Sequence, residues 1–192
     1  MTLSQRLMFY NTPFHLTNLK YKINWSLMSR SLQDLHPEIH WRASKVIQAA
    51  QEIRVPILIY FTLRTFAEQE VLYAIGRTEP GKIKTNARGG ESYHNYGLAF
   101  DFAIDPSGPG IEWASGVDIN DDKIPDYRQI GEIGEDFGLQ WGGRFKSIKG
   151  DYGHLQFSFG FSIHALRLLY GLGGLPRVWA EISAKNEKNK WP

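Results

Sequence analysis

Cysteine is absent from the 192 residues. Disulfides, thiol nucleophiles and cysteine-ligated zinc are therefore excluded, and any metal must be held by His, Asp or Glu. No apolar run is long enough to make a transmembrane helix, so no membrane partner is expected. Charge of one sign is also scarce: 22 Lys and Arg against 20 Asp and Glu leave a net +2, with a pI near 8.7. That falls short of a nucleic-acid footprint and suits contact with an anionic surface. The first thirty residues lack a continuous apolar stretch and contain Asn11, Thr12, His15, Asn18 and Lys20, so no signal peptide is expected. Repeats and linkers are missing too. The expectation is a monomer with one domain and a sizeable core. Residues 1–27 read as an N-terminal extension, with Leu7, Phe9, Tyr10, Phe14 and Trp25 available to pack on the domain. Residues 28–184 form that domain, and 185–192 a frayed basic tail. Aromatics are plentiful at 14%, most of them for the core and some for a saccharide- or peptide-binding cleft.

The chemistry concentrates in Ser92-Tyr-His-Asn-Tyr-Gly-Leu-Ala-Phe-Asp101, which reads S-x-H-x-x-G-x-A-x-D, and in a later cluster, Asp151-Tyr-Gly-His154. Two histidines and an aspartate supply three metal ligands, and a further aspartate is left over. Three protein ligands, an open position for water and a carboxylate to take its proton are the parts of a catalytic zinc site. Alternation after Gly97 predicts a strand with Ala99, Asp101 and Ala103 on one face and Leu98, Phe100 and Phe102 on the other. Residues 154–159 repeat the pattern: His154, Gln156 and Ser158 alternate with Leu155, Phe157 and Phe159. The two strands could meet with His154 opposite Asp101 and the core on the aromatic side. Asp151, just before the second strand, could be a ligand or a general base held near the metal.

Elsewhere the pattern predicts helices over 38–52, 66–76, 127–137 and 162–170, and strands over 57–61 and 139–141. Long loops cover 77–93 and 105–126. Arg64 falls at a strand-to-helix turn, where it could reach a cleft or pair with Glu68 on the surface. Gly76-Arg-Thr-Glu-Pro-Gly-Lys82 imitates a P-loop, but Ile83 stands where Ser or Thr would bind magnesium and a helix precedes it. In the acidic loop, Asp118, Asn120, Asp122 and Asp126 have the spacing of a weak calcium site, with no glycine at the sixth position and Gln129 at the twelfth. Ca2+ binding that steadies the cleft is an expectation to be checked.

At these residues the chain resembles the zinc peptidases that cut bacterial cell-wall peptides: D-alanyl-D-alanine carboxypeptidases, the dipeptidases of vancomycin resistance, and L-alanyl-D-glutamate endopeptidases of endolysin type. The likeness runs from about Ser29 to Leu172. It includes Ser31-Leu-Gln-Asp-Leu-His-Pro37, Leu63-Arg-Thr-Phe-Ala-Glu-Gln69, Gly89-Gly90 and Trp141-Gly-Gly143, and the endopeptidase branch is the nearest. The departures are Asp151, where some members carry Glu, and Leu63, where an aromatic is frequent. The resemblance implies Zn2+ on His94, Asp101 and His154, with Asp151 as base. It further implies that Arg64 stabilises the oxyanion and that Ser92 supports the site. The expected fold is α+β: a small, mainly antiparallel sheet carrying the zinc site, with helices on one side, as in hedgehog and DD-peptidase folds. The expected substrate is a peptidoglycan peptide, met at the bacterial cell wall after cytoplasmic synthesis, with no nucleic-acid partner. Alternatives are cleavage at D-Ala-D-Ala termini, and a zinc-stabilised wall-binding module; Asp151 and Arg64, which a structural zinc site does not need, speak against the latter.

Overall fold

The computed structural model describes residues 28–105, 111–146 and 150–188; the N-terminal extension and the last four residues fall outside the described part. Helix α1, Pro37–Glu52, starts where His36 Nδ1 accepts the Glu38 N–H at 3.3 Å and Pro37 takes a position that needs no N–H. Its Ile39, Ala43, Val46 and Ala50 share one buried face. Strand β1, Ile57–Phe61, leads into α2, Phe66–Ala74, through a capping box formed by Thr65 and Glu68. Strand β2, Ala99–Ile104, is followed by α3, Asp126–Asp136, then β3, Gln140–Trp141, β4, His154–Gln156, and α4, Ile163–Lys188.

The four strands form one antiparallel sheet in the order β1-β2-β4-β3. Phe100 and Phe102 of β2 and Leu155 of β4 point into the main core, where α1, α3 and α4 supply Ile39, Val46, Ile130, Leu166, Val178 and Ile182. A smaller cluster of Met28, Phe61, Leu72 and Ile75 seats α2. The architecture is the expected α+β arrangement, with the polar face of β2 and β4 turned away from the main core.

Two expectations on element length are corrected. Strand β4 ends at Gln156, because Phe159 adopts φ 50° and Phe161 N–H closes a turn onto Ser158 carbonyl at 2.9 Å. The last helix does not stop at Tyr170. It kinks at Gly173–Gly174, with Gly174 at φ 66°, and resumes with Pro176 in its new first turn. The second limb continues because Val178 and Ile182 are fully buried. Lys185, expected in a frayed tail, docks instead: its Nζ donates to Phe159 carbonyl at 2.8 Å and lies 4.4 Å from the Phe161 ring centroid.

Helix α3 approaches the sheet through glycines. A Cβ on Gly131 would fall 2.2 Å from the Trp141 indole, and that ring is fixed by its Nε1–H to Tyr152 carbonyl at 2.7 Å. In an isolated helix Gly→Ala would stabilise by about 1 kcal/mol. Here overpacking, at ~1–3 kcal/mol, outweighs propensity, so Gly131→Ala should destabilise by a net of up to ~2 kcal/mol. Thermal denaturation should show a lower midpoint, and a raised one would refute the close approach.

Candidate metal centre

Pairing between β2 and β4 sets Asp101 directly opposite His154. The approach is tight: Phe102 N–H donates to Gly153 carbonyl at 2.7 Å, and a Cβ on Gly153 would stand 2.5 Å from Phe102 carbonyl oxygen. Gly142 permits the same closeness from β3's side, since a Cβ there would meet Asp151 carbonyl oxygen at 2.3 Å. The glycines of D-Y-G-H and W-G-G are thus steric requirements of the site.

His94 arrives from the short 3-10 turn Tyr93–Tyr96. Ser92 caps that turn, its Oγ accepting His94 N–H at 3.4 Å, and Gly97 closes it at φ 68°. Asn95 locks the turn to its surroundings. Its Oδ1 accepts the N–H groups of Gly90 and Ser92 at 3.0 and 3.2 Å, and its Nδ2 donates to Arg64 carbonyl at 2.8 Å.

The result is a triangle. His94 Nε2 lies 3.2 Å from Asp101 Oδ1 and 3.3 Å from His154 Nδ1, and His154 Nδ1 lies 2.9 Å from Asp101 Oδ1. Tautomers follow from the opposite ring nitrogens. His94 Nδ1 faces Thr62 carbonyl at 2.7 Å and must donate to it, while His154 Nε2 faces Gln156 Oε1 at 2.9 Å and donates in turn. Two imidazole lone pairs and a carboxylate oxygen then converge with no proton among them, an arrangement that a cation satisfies. Among the described residues this is the single group of three or more His, Cys, Asp or Glu side chains whose ligand atoms lie within 4.8 Å of one another. Two nitrogens and one oxygen suit a borderline metal such as zinc and leave a coordination position open.

Electrostatics agree. Burial lowers the His94 pKa. Burial also opposes ionisation of Asp101, but the two imidazoles in contact with it outweigh that and hold the carboxyl well below the usual range. Burial lowers the His154 pKa, but contact with Asp101, the charges of Asp101 and Asp151 and the bond to Gln156 together outweigh it and leave it raised.

Arg64 is buried, with Nη2 3.5 Å from Asp101 Oδ2 and Nη1 donating to Gln69 Oε1 at 2.9 Å. Glu68 is not its partner, being occupied as the α2 cap. Gln69, itself fully buried, donates onward to Ala87 carbonyl at 2.8 Å and Thr85 Oγ1 at 3.2 Å, so it ties Arg64 to the 77–93 loop. The Arg64 Nε–H is buried and has no acceptor among the described residues. Asp151 lies on the turn before β4 and interacts electrostatically with His154, Asp101, His94 and Arg64; burial raises its pKa.

The sequence brought His94, Asp101, His154, Asp151, Arg64 and Ser92 to one place. It did not identify Thr62, Gln69, Asn95 or Gln156 as their supports. Gln156 was visible as the same-face neighbour of His154; the Thr62 contact uses a backbone carbonyl and leaves no side-chain signal.

The calcium expectation finds no support. Asp118, Asp122 and Asp126 do not gather their carboxylates into a cation site. Asp118 accepts the N–H groups of Asp122 and Lys123, and Asp122 accepts from Ile124 N–H and the Asn120 and Gln129 amides. Asp126 turns into the protein, where Oδ2 takes the Ile119 N–H at 2.9 Å. Asn120 Nδ2 reaches back to Ile53 carbonyl at 3.1 Å. The loop is held by its own Asx-type turns.

If Gln156 fixes the His154 tautomer, Gln156→Leu should weaken affinity for a divalent transition metal by roughly 10–100-fold. Competition against a chromogenic chelator measures this, and unchanged affinity would remove Gln156 from the site.

Comparison with known proteins adds a family. A profile of M15-type peptidases, described as D-alanyl-D-alanine carboxypeptidase, matches residues 85–157, a stretch that contains both motif clusters. The peptidoglycan L-alanyl-D-glutamate endopeptidase CwlK of Bacillus subtilis (strain 168) is 43% identical over 123 residues, which cover 64% of this chain and 73% of that protein. Among solved structures, the chain is similar to the L-Ala D-Glu endopeptidase ChiX of Serratia marcescens, with 24% identity, TM-score 0.45 and coverage of 67% of this chain and 84% of that one. It is also similar to DacB of Streptococcus pneumoniae D39, with 22% identity, TM-score 0.48 and coverage of 79% and 80%. The profile match across both clusters, and the identity over most of CwlK, show that the chain belongs to the M15 peptidase family.

Proposed function

We propose that this chain is a zinc peptidase that hydrolyses peptidoglycan stem peptides at the L-alanyl-D-glutamate bond. The observation that carries the chemistry is the convergence of three unprotonated ligand atoms from His94, Asp101 and His154, with Asp151 and Arg64 beside them. The choice of bond rests on the 43% identity to an enzyme named for it. Residues 28–188 constitute the peptidase domain in this reading. No helix among the described residues is long and apolar enough to cross a membrane.

When bound, zinc supplies Lewis acidity for a carbonyl and lowers the pKa of a bound water toward ~7. The chain's own groups do the rest. Asp151, whose partly desolvated carboxylate has a raised proton affinity, accepts the water proton and returns it to the leaving amine. Arg64 presents the buried, unpartnered Nε–H to the developing oxyanion, and Gln69 prevents the guanidinium from swinging away. A structural zinc site would need neither group.

Two variants separate the roles. His94→Ala should lose metal and activity together. Asp151→Asn should retain one zinc per chain by elemental analysis while turnover falls at least about a hundredfold. Loss of metal from Asp151→Asn would make Asp151 a ligand. Mass spectrometry of digested wall fragments identifies the bond; release of D-alanine alone would assign the chain to the carboxypeptidase branch.

A further inference from the structure

The register between β1 and β2 shifts at one point. Ile59 pairs with Phe102 and Phe61 with Asp101, which leaves Tyr60 as the extra residue of a bulge. Bulges re-aim side chains and are common beside active sites. Here the Tyr60 ring packs edge-on against Phe61 at 4.4 Å, and Phe61 lies opposite Asp101 with the Arg64 guanidinium 5.5 Å from its ring centroid. Tyr60 also meets Trp113, at 5.0 Å and nearly perpendicular. The three rings form a chain of contacts that begins at the residue paired with Asp101.

Trp113 is 54% exposed, yet its place is fixed. Glu112, before it, makes a β-bridge to Ile104, with N–H donating to Ile104 carbonyl at 3.1 Å, and Glu112 carbonyl accepts Tyr127 Oη at 2.8 Å. Glu112 Oε1 then accepts Ala114 N–H at 2.7 Å. An indole anchored by the backbone on both sides but left half in water adds little to the core. Arg30 covers another part of the Tyr60 ring, at 5.6 Å, so the open aromatic surface is that of Trp113.

We propose that Trp113, backed by Tyr60, is a subsite for the sugar ring that carries the peptide substrate. The inference rests on the reading of the substrate as peptidoglycan. In that polymer the L-alanine nitrogen is acylated by a substituent of an amino sugar, so a pyranose sits a short distance upstream of an L-alanyl-D-glutamate bond. The residues flanking that bond are small or anionic and offer no flat apolar face. The pyranose does, through its axial C–H bonds, and an exposed indole is a surface suited to it. Contacts of about 5 Å link Arg64, Phe61, Tyr60 and Trp113 in sequence. The indole thus stands no farther from Arg64 than three such contacts, and one alanyl residue with its acyl substituent separates the sugar from the bond.

The test uses zinc-loaded full-length chain and two substrates: a stem peptide carrying its disaccharide, and the same peptide without sugar. In Trp113→Ala the ratio of kcat/KM values, sugar-bearing over sugar-free, should fall about tenfold, equivalent to about 1.4 kcal/mol, and mainly through KM. Trp113→Phe should keep most of the preference. An unchanged ratio, or equal losses on both substrates, overturns the proposal and assigns the ring to the peptide or to the fold. Binding of the disaccharide alone provides an arm independent of catalysis. The Trp113 indole N–H signal should shift saturably in the wild type, identified by its absence from Trp113→Ala, and a signal that does not move also overturns the proposal. If the wild type cuts neither substrate while the signal shifts, the peptidase reading fails and the sugar site stands.

Discussion

Close pairing of β2 with β4 is the constraint on which everything else at the site depends. Asp101 and His154 are cross-strand partners, so their separation is set by the sheet and not by side-chain choice. Two glycines allow it. Gly153 brings its carbonyl to Phe102 N–H, and Gly142 lets the turn bearing Asp151 lie against β3. A cluster built this way is preorganised for a cation: Asp101 and His154 are held by a ladder, and His94 by a capped and hydrogen-bonded turn. The aromatic faces of the same strands form the core, so the force that folds the sheet also aims the ligands.

Outside the triangle, order propagates through amides. Asn95 joins the His94 turn to the Arg64 carbonyl, and Arg64 N–H donates to His94 carbonyl at 3.0 Å, so the two side chains are carried by one hydrogen-bonded backbone unit. Gln69 then carries the network to Thr85 and Ala87. The 77–93 loop has little apolar surface to bury, and this chain of buried hydrogen bonds gives it a fixed edge beside the site. Leaving any of these donors unpaired would cost more than the net value of the bond, which explains why polar groups persist at such burial.

Much of this was legible in the sequence because it follows from period-two alternation. Placing Asp101 and His154 on matching strands, with Phe100, Phe102 and Leu155 behind them, required only the strand pattern. The departures have local causes. Strand β4 looked longer because Ser158 and Phe159 continue the alternation, while the chain turns at Phe159. Helix α4 seemed to end near its glycines, yet Val178 and Ile182 still had a core to fill; burial outweighed the breaker. The acidic loop imitated a cation site because Asp and Asn also make Asx turns, and spacing cannot tell a carboxylate that binds a cation from one that accepts its own backbone N–H groups. Supports that act through carbonyl oxygens, such as that of Thr62, leave no trace in residue type.

The two site aspartates show how environment divides labour between identical side chains. Both are partly shielded from water, and desolvation raises the proton affinity of each. Asp101 lies in direct contact with both imidazoles, and its carboxyl is driven far below its ordinary value. Asp151 feels the histidines and Arg64 only at longer range, and the negative charge of Asp101 works against it, so burial prevails and its affinity for a proton rises. The first is thereby suited to remain a carboxylate and hold a cation; the second is suited to take a proton and give it back. Opposite displacement of neighbouring carboxyl groups is the pattern expected where one acid is structural to the chemistry and the other takes part in it. Here the division is set by which of the two lies on the β2–β4 ladder.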